Sequence, residues 1–594
     1  MAEMRSRIAA LPDDQRALLI SRLRQQQATT SSATEQYDVV IVGGGAAGMT
    51  LALELKRSRP ATRILVLEKE NYPVPETTHK VGESTVEIAA HYLRDILGLE
   101  DHLRDSQLRK FGLRMFFSSG ENVDIAQRME VGPTDFPPLA TYQLDRGRLE
   151  NELHARLARE QIEFIDGCKV TELALGQQDA LHRVEIQNGD GQRVVLGRWL
   201  VDASGRARLL QRQLGVGLDV GHVANAAWLR IDHAIDIKEW ASDPAWQARV
   251  SKGDRALSTN HLMGPGYWVW LIRLSSGSTS VGIVADEQTH PFSGFNRLDR
   301  AISWLREHEP QCADVIEKHQ DKIQDFRRMG HYSYSCRQVY SGEGRWCLTG
   351  EAGIFLDPLY SPGLDLIAIS NRLVTDLVTR DLDGENVQGR AAVHDRLFLT
   401  TAQIWLAVYE KQYQLMGNAN IMASKVIWDT AFYWGVFGHL YFHDQFHTLA
   451  DSPKVADQLQ RLALLSNRVQ AFFREWSAIS RPEHRPGLVD LYSPLDFMVR
   501  LHHGMATTLS PKEAEDGFGE NLRLFEQLAG QLVSSVLESY ASQPSDAAVF
   551  QQIQRWQLDP LITEVVAAYR RGRKNNPTSD GWIVPEFQQL AASR

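Results

Sequence analysis

Six residues near the start of the chain, Gly43-Gly44-Gly45-Ala46-Ala47-Gly48, restrict the fold more than any other feature. They follow at once on Tyr37-Asp38-Val39-Val40-Ile41-Val42, a compact apolar run that reads as a buried parallel strand. Gly43, Gly45 and Gly48 give the pattern G-x-G-x-x-G. The first glycine permits a tight turn, the second lets backbone approach a pyrophosphate, and the third lets a helix pack closely on the strand. The helix predicted to begin near Ala46 offers unpaired N–H groups and a positive dipole end to phosphates. Arg63-Ile64-Leu65-Val66-Leu67-Glu68 reads as a second strand, and Glu68 ends it 20 residues beyond Gly48. A carboxylate there accepts hydrogen bonds from ribose hydroxyls and repels a 2′-phosphate. Strand, glycine loop, helix, strand and terminal acid, in that order, predict a dinucleotide-binding βαβ unit.

The remainder of the 594 residues predicts an α/β protein of two to four domains. Residues 1–36 read as an amphipathic helix (4–25) and a polar linker. Residues 37–377 alternate strands, helices and glycine-rich turns, the pattern of a Rossmann-like nucleotide domain interleaved with a β-sheet substrate domain. Residues 378–594 read as a helical, aromatic-rich region. The net charge of −10 argues against nucleic acid as a partner. The chain lacks both an apolar run long enough for a membrane span and a signal-like N-terminus. Cys168, Cys312, Cys336 and Cys347 show no CxxC spacing, so they read as reduced thiols of a cytoplasmic protein, with no metal site.

Two later segments carry a resemblance. Leu200-Val201-Asp202-Ala203-Ser204-Gly205-Arg206 and Trp346-Cys347-Leu348-Thr349-Gly350-Glu351-Ala352 resemble the FAD superfamily of aromatic hydroxylases, geranylgeranyl reductases and flavin-dependent halogenases. Gln143-Leu144-Asp145-Arg146 is similar to that family's arginine segment. The resemblance implies FAD as cofactor. It places Gly43, Gly45, Ala46, Ala47, Gly48, Glu68, Lys69, Arg146, Asp202, Gly350, Glu351, Gly363 and Leu364 at the cofactor, with Glu351 standing where the family uses Asp. No NAD(P)H site is expected.

Three further segments narrow the family. Gly266-Tyr267-Trp268-Val269-Trp270-Leu271-Ile272 looks like the W-x-W-x-I-P motif of flavin-dependent halogenases, with Arg273 where proline is usual. Read as residues alone, it is a strand with both tryptophans on one face. Phe355-Leu356-Asp357-Pro358-Leu359-Tyr360-Ser361-Pro362-Gly363 matches F-x-x-P-x-x-S-x-G at every fixed position. Lys110 follows Val81-Gly82-Glu83-Ser84-Thr85-Val86 as the catalytic lysine does in halogenases; Lys80 is its rival.

The resemblance implies a halogenase of secondary metabolism. A separate flavin reductase supplies reduced FAD, and O2 and halide (chloride or bromide) then yield hypohalous acid. Lys110, Ser361 and Tyr360 are the expected catalytic residues. Trp268, Trp270, Pro358 and Gly363 are expected to line the halide pocket and tunnel. Tyr360 stands where tryptophan halogenases carry a glutamate, which implies an acceptor that is already activated: phenolic, pyrrolic or tethered to a carrier protein. Pro362 has no N–H to offer a halide. Asp286 follows a strand similar to one after which a few relatives bind FAD covalently through an aspartate, but its preferred reading is a strand-ending turn residue. Two alternatives stay open: a halogenase-like monooxygenase or dehydrogenase without halide, and a flavin protein that mainly docks a carrier protein.

Overall fold

The apolar strand Glu35–Val42 is the centre of the first sheet in the computed structural model. The structure describes residues 35–77, 82–189, 191–480, 486–493, 495–540 and 546–575. The expected N-terminal helix, the linker up to Thr34 and Lys80 lie outside them, while Glu35 and Gln36, expected as linker, already belong to the strand. Glu35–Val42 pairs in parallel with Ile64–Leu67 on one side and with Gly191–Asp202 on the other. Trp346–Leu348 adds to the outer edge of Gly191–Asp202, again in parallel. Burial on both faces explains why Ile64–Leu67, Trp346–Leu348 and the end of Glu35–Val42 are continuous apolar runs rather than alternating ones. The register aligns Val42 with Leu67 and Asp202, and Asp202 with Leu348. Gly43, Glu68, Ala203 and Thr349 therefore meet at one carboxyl edge, where open α/β sheets bind their ligands.

A second sheet of eight strands carries the other face of the molecule. Its middle strand Tyr267–Arg273 alternates sides as the period of two requires. Trp268, Trp270 and Ile272 join the larger core, while Tyr267, Val269 and Leu271 pack with the helices Leu298–His308 and Pro310–Lys318. Leu113–Phe117 and Met129–Gly132 continue this sheet, and Gly487–Asp490 ends it, parallel to Met129–Gly132. That last strand comes from the region expected to be helical, so the C-terminal part is tied into the sheet as well as packed beside it. Elsewhere that part is helical: Gly363–Leu382, Gln388–Tyr409, Ala419–Phe432, Pro453–Ser477 and Pro511–Tyr540 are its longer elements. A π-helical stretch, Tyr433–Gly438, continues Ala419–Phe432 into His439–Phe442. Such stretches concentrate at functional sites. Among the described residues, no helix is long and apolar enough to cross a membrane. All four cysteines are free and buried.

Candidate active site

At the carboxyl edge of the first sheet, two glycines are required by space. Gly43 has φ +114°, and a Cβ there would stand 2.2 Å from the carbonyl oxygen of Ala203. A Cβ on Gly48 would stand 2.0 Å from the carbonyl oxygen of Gly43. Gly45, by contrast, faces open space. The helix Ala46–Ser58 starts there with no side-chain cap and no acid in its first turn. Its first N–H groups and dipole end thus lie open to phosphate. Glu68 is fixed beside them by the N–H groups of Gly44 (2.6 Å) and Glu70 (2.9 Å). These residues fit the adenosine and pyrophosphate of FAD. Gly43→Ala combines a left-handed backbone with a clash, so it is expected to leave the purified protein without flavin absorbance; wild-type flavin content would refute this.

The other expected cofactor residues divide into two groups. Gly350, at φ +60°, turns directly over Ala47, with 2.9 Å from a built Cβ to that side chain. Thr349 donates to Asn371, which in turn donates to the carbonyl of Ala47. Gly350, Glu351, Ala46 and Ala47 are thereby brought to the same edge, and Glu351 is fixed through its carbonyl by the hydroxyl of Tyr334. Asp202 is different: it is fully buried, and its oxygens accept from the N–H groups of Ser204 (2.9 Å) and Leu210 (2.7 Å). It shapes the turn that presses Ala203 against Gly43. Arg146 bonds Glu150 at 2.7 Å across one turn of its own helix, and Lys69 points to solvent beside Glu70. Asp286 accepts from the N–H groups of Gln288 and Thr289, which closes a turn.

Lys110 ends the short strand Leu108–Lys110, which pairs with Thr141–Gln143. The turn at Gly112 (φ +70°) then starts the second sheet. The lysine is 2% exposed. Its Nζ donates to Ser84 Oγ and to the carbonyl of Thr85, both at 2.8 Å, so the Gly82-Glu83-Ser84-Thr85 segment holds it in place. Burial drives its pKa down to about 7, and the nearby carboxyl groups, Glu87 first among them, offset only part of that shift. It looks into a cavity of about 990 Å3, counting its mouth, which Tyr360 and Pro362 also line. Trp405, Phe432, Tyr433 and Phe437 supply aromatic walls.

The loop Phe355–Gly363 is held from below. Asp357 accepts from Tyr413 (2.7 Å) and Tyr332 (2.8 Å), and it shares a 2.6 Å hydrogen bond with His222. Burial opposes its charge, but the partners His222 and Tyr413 prevail and its pKa falls below the ordinary value. The hydroxyl of Tyr409 adds a hydrogen bond to the carbonyl of Leu359. This anchoring holds Tyr360 (φ +67°) and Ser361 (φ +62°) in consecutive left-handed conformations, which cost about 1–3 kcal/mol each for side chains of this kind. Pro362 then occupies the cap position of the helix Gly363–Leu382, which has no side-chain cap. A proline there removes no N–H from the helix itself, so the N–H groups of Gly363 and Leu364 remain at the open first turn. Gly363 is exposed with free space on its Cα.

Trp268 and Trp270 do not line this cavity. Both are buried, and their indole N–H groups donate to Tyr413 (3.0 Å) and Ser280 (3.1 Å). Trp268 thus supports the loop through Tyr413 and Asp357. Three carboxyl groups in the cavity were not found from the sequence: Glu87, Asp365 and Asp429. Glu87 pairs with His502 at 3.3 Å. Asp365 accepts from the N–H of Ala89 at 2.8 Å, and burial raises its pKa to about 8. The available signal was a charge inside an apolar stretch, as at Asp365 between Leu364 and Leu366, or an i,i+4 pair, as at Lys425 and Asp429.

The family model described as tryptophan halogenase matches residues 38–115 and 126–390, more than half of the chain. The chain belongs to this family. As a tryptophan-halogenase family member it is an FAD-dependent oxidoreductase of halogenase type. It is 26% identical over 417 residues to "Flavin-dependent halogenase chlA" of Dictyostelium discoideum, covering 65% of this chain and 67% of that one. It is 26% identical over 350 residues to "1H-pyrrole-2-carbonyl-[peptidyl-carrier protein] chlorinase" of Pseudomonas fluorescens, covering 55% of this chain and 72% of that one. Among solved folds, halogenase PltM in complex with phloroglucinol and FAD superposes with a TM-score of 0.57 at 16% identity, over 93% of this chain and 98% of that one.

Proposed function

We propose that this family member uses reduced FAD, O2 and halide to halogenate an electron-rich acceptor in secondary metabolism. One observation carries the reading: Lys110 shares a single cavity with Tyr360 and Pro362 of the F-x-x-P-x-x-S-x-G loop. When bound, reduced FAD would activate O2, and O2 is the oxidant that takes halide to hypohalous acid. Gly43 to Gly48 and the helix after them would hold the pyrophosphate, Glu68 would hold the ribose, and Gly350 to Ala352 and Gly363 would border the flavin. The N–H groups of Gly363 and Leu364, beside Ser361, form the halide site. Asp365, in the first turn of that helix, would repel an anion if charged. Burial keeps it neutral below about pH 8, so the dipole end stays positive. Lys110, with its pKa near 7, donates a hydrogen bond to hypohalous acid and a proton to the departing oxygen. The cavity walls exclude water.

The reading includes a separate flavin reductase and a cytoplasmic location. A carrier-tethered acceptor is supported by the two pyrrole-carrier halogenases among the relatives. The test supplies the FAD-loaded protein with a flavin reductase, NADH, O2 and bromide, and offers monochlorodimedone. Bromide-dependent product is the expected result. Hydroxylated or desaturated product that forms equally well without halide would overturn the reading.

A further inference from the structure

Lys425 and Asp429 lie one turn apart on the helix Ala419–Phe432, and both side chains are buried. Lys425 Nζ donates to Asp429 Oδ2 at 2.7 Å and to Gln470 Oε1 at 2.7 Å; Gln470 Nε2 closes the ring on Asp429 Oδ1, also at 2.7 Å. Taking two charges out of water is unfavourable, and an apolar pair would pack such a helix at least as well. A buried ionic cluster that borders a cavity is therefore a candidate for function rather than for stability.

Two further observations point the same way. Asp429 itself lines the cavity that contains Lys110. Tyr360, turned by its left-handed backbone, aims its hydroxyl at Asp429 Oδ2 at 3.2 Å. This hydrogen bond is long for an O–H donor on a carboxylate, and so is easily exchanged for a better one. The same cavity offers flat faces: Trp405 and Phe437 stack at 4.3 Å, with Phe432 set edge-on to Phe437 at 5.8 Å.

We propose that the acceptor is a hydroxyl-bearing aromatic ring whose O–H donates to Asp429, and that Asp429 takes its proton. The inference rests on the halogenase reading above. The acceptor O–H bond breaks and its proton passes to Asp429. The ring carbon of the resulting phenolate forms the carbon–halogen bond as the halogen–oxygen bond of hypohalous acid breaks. The departing hydroxide takes a proton from the Lys110 ammonium and leaves as water. The ring C–H proton then returns to the Lys110 amine, and Asp429 gives its proton back to the product oxygen. The net change is phenol plus hypohalous acid to halophenol plus water. Burial raises the pKa of Asp429, which makes it a stronger base, while Lys425 and Gln470 offset part of that shift and orient it.

The test compares a phenol with its O-methyl ether, using FAD-loaded full-length protein, a flavin reductase, NADH, O2 and bromide. Binding of each ring to the oxidised holoprotein is measured by calorimetry. Wild type is expected to bind and brominate the phenol and to ignore the ether. Asp429→Asn is expected to lower kcat for the phenol by roughly 10²-fold or more and to weaken phenol binding roughly tenfold, with FAD content unchanged. Equal binding of phenol and ether by wild type, or an Asp429→Asn variant with unaltered kcat and binding, overturns the proposal. If that variant does not fold, the phenol–ether comparison in wild type decides alone. Selective phenol binding with no brominated product from any acceptor sinks the halogenase reading and leaves the hydroxyl site supported.

Discussion

Replacing Lys110 by alanine is expected to reduce halogenation by about 10³-fold or more while FAD remains bound. The amine of the lysine donates to Ser84 and Thr85 and to no residue of the glycine edge. Its removal thus subtracts one buried donor from the cavity and nothing from the pyrophosphate site. Stability should move in the opposite direction. The pKa of Lys110 falls from 10.5 in the open chain to about 7 in the fold, because burial penalises its charge. Between these values the unfolded chain binds a proton that the folded chain does not, so wild-type stability rises with pH across that window. Below about pH 7 both states are protonated and the full penalty, on the order of a few kcal/mol, is present. Lys110→Met is therefore expected to melt higher than wild type at pH 6, with the gap closing toward pH 10. Melting curves read by circular dichroism at the two pH values check this. A variant less stable than wild type at pH 6 would show that the amine holds the fold rather than serving the site.

The nucleotide edge was legible because its chemistry is local. Gly48 and Glu68 are demanded by contacts with Gly43, Gly44 and Glu70, which are close in the chain, and Gly43 by its own left-handed φ, so a short motif carries them. The alternation in Tyr267–Arg273 was legible for the same reason, since strand geometry alone puts Trp268 and Trp270 on one face. Their use was not. Whether an indole lines a tunnel or donates to Tyr413 depends on a helix that lies far along the chain. Asp202 shows the same limit: its spacing marks an acid near a cofactor turn, but that its oxygens accept from the N–H groups of Ser204 and Leu210 appears only in the fold. Asp429 and Gln470 sit in the C-terminal helices and meet Tyr360 only in the folded chain. No spacing rule links residues that far apart, and the aromatic density around them drew attention to core packing instead. The strand Gly487–Asp490 escaped notice because it is short and stands between long helices.

Glu130→Gln is expected to destabilise the protein by about 3–5 kcal/mol, the usual result of breaking a buried ion pair from one side. Glu130 is fully buried on Met129–Gly132, between two guanidinium groups that are buried as well. Arg255 reaches it with Nε at 2.8 Å and Nη2 at 3.0 Å, and Arg114 reaches the same carboxylate from the neighbouring strand. An amide offers one acceptor where two cations need a charge, so the variant would confine two uncompensated charges in a dry interior. The effect should extend to the active site. Arg114 also donates to the carbonyl of Pro133, and Pro133 lines the Lys110 cavity and packs against the turn at Gly112. Loss of the central carboxylate frees Arg114 to move, and with it the turn that sets Lys110. Urea unfolding should show a lower midpoint for Glu130→Gln, and halogenation should fall more than FAD content does. Simultaneous replacement of all three residues by apolar ones (Arg114→Met, Glu130→Leu, Arg255→Met) is expected to recover much of the lost stability, since no buried charge is then left alone. Recovered stability without recovered turnover would assign the triad to positioning Lys110. Recovery of both would make it a replaceable part of the core.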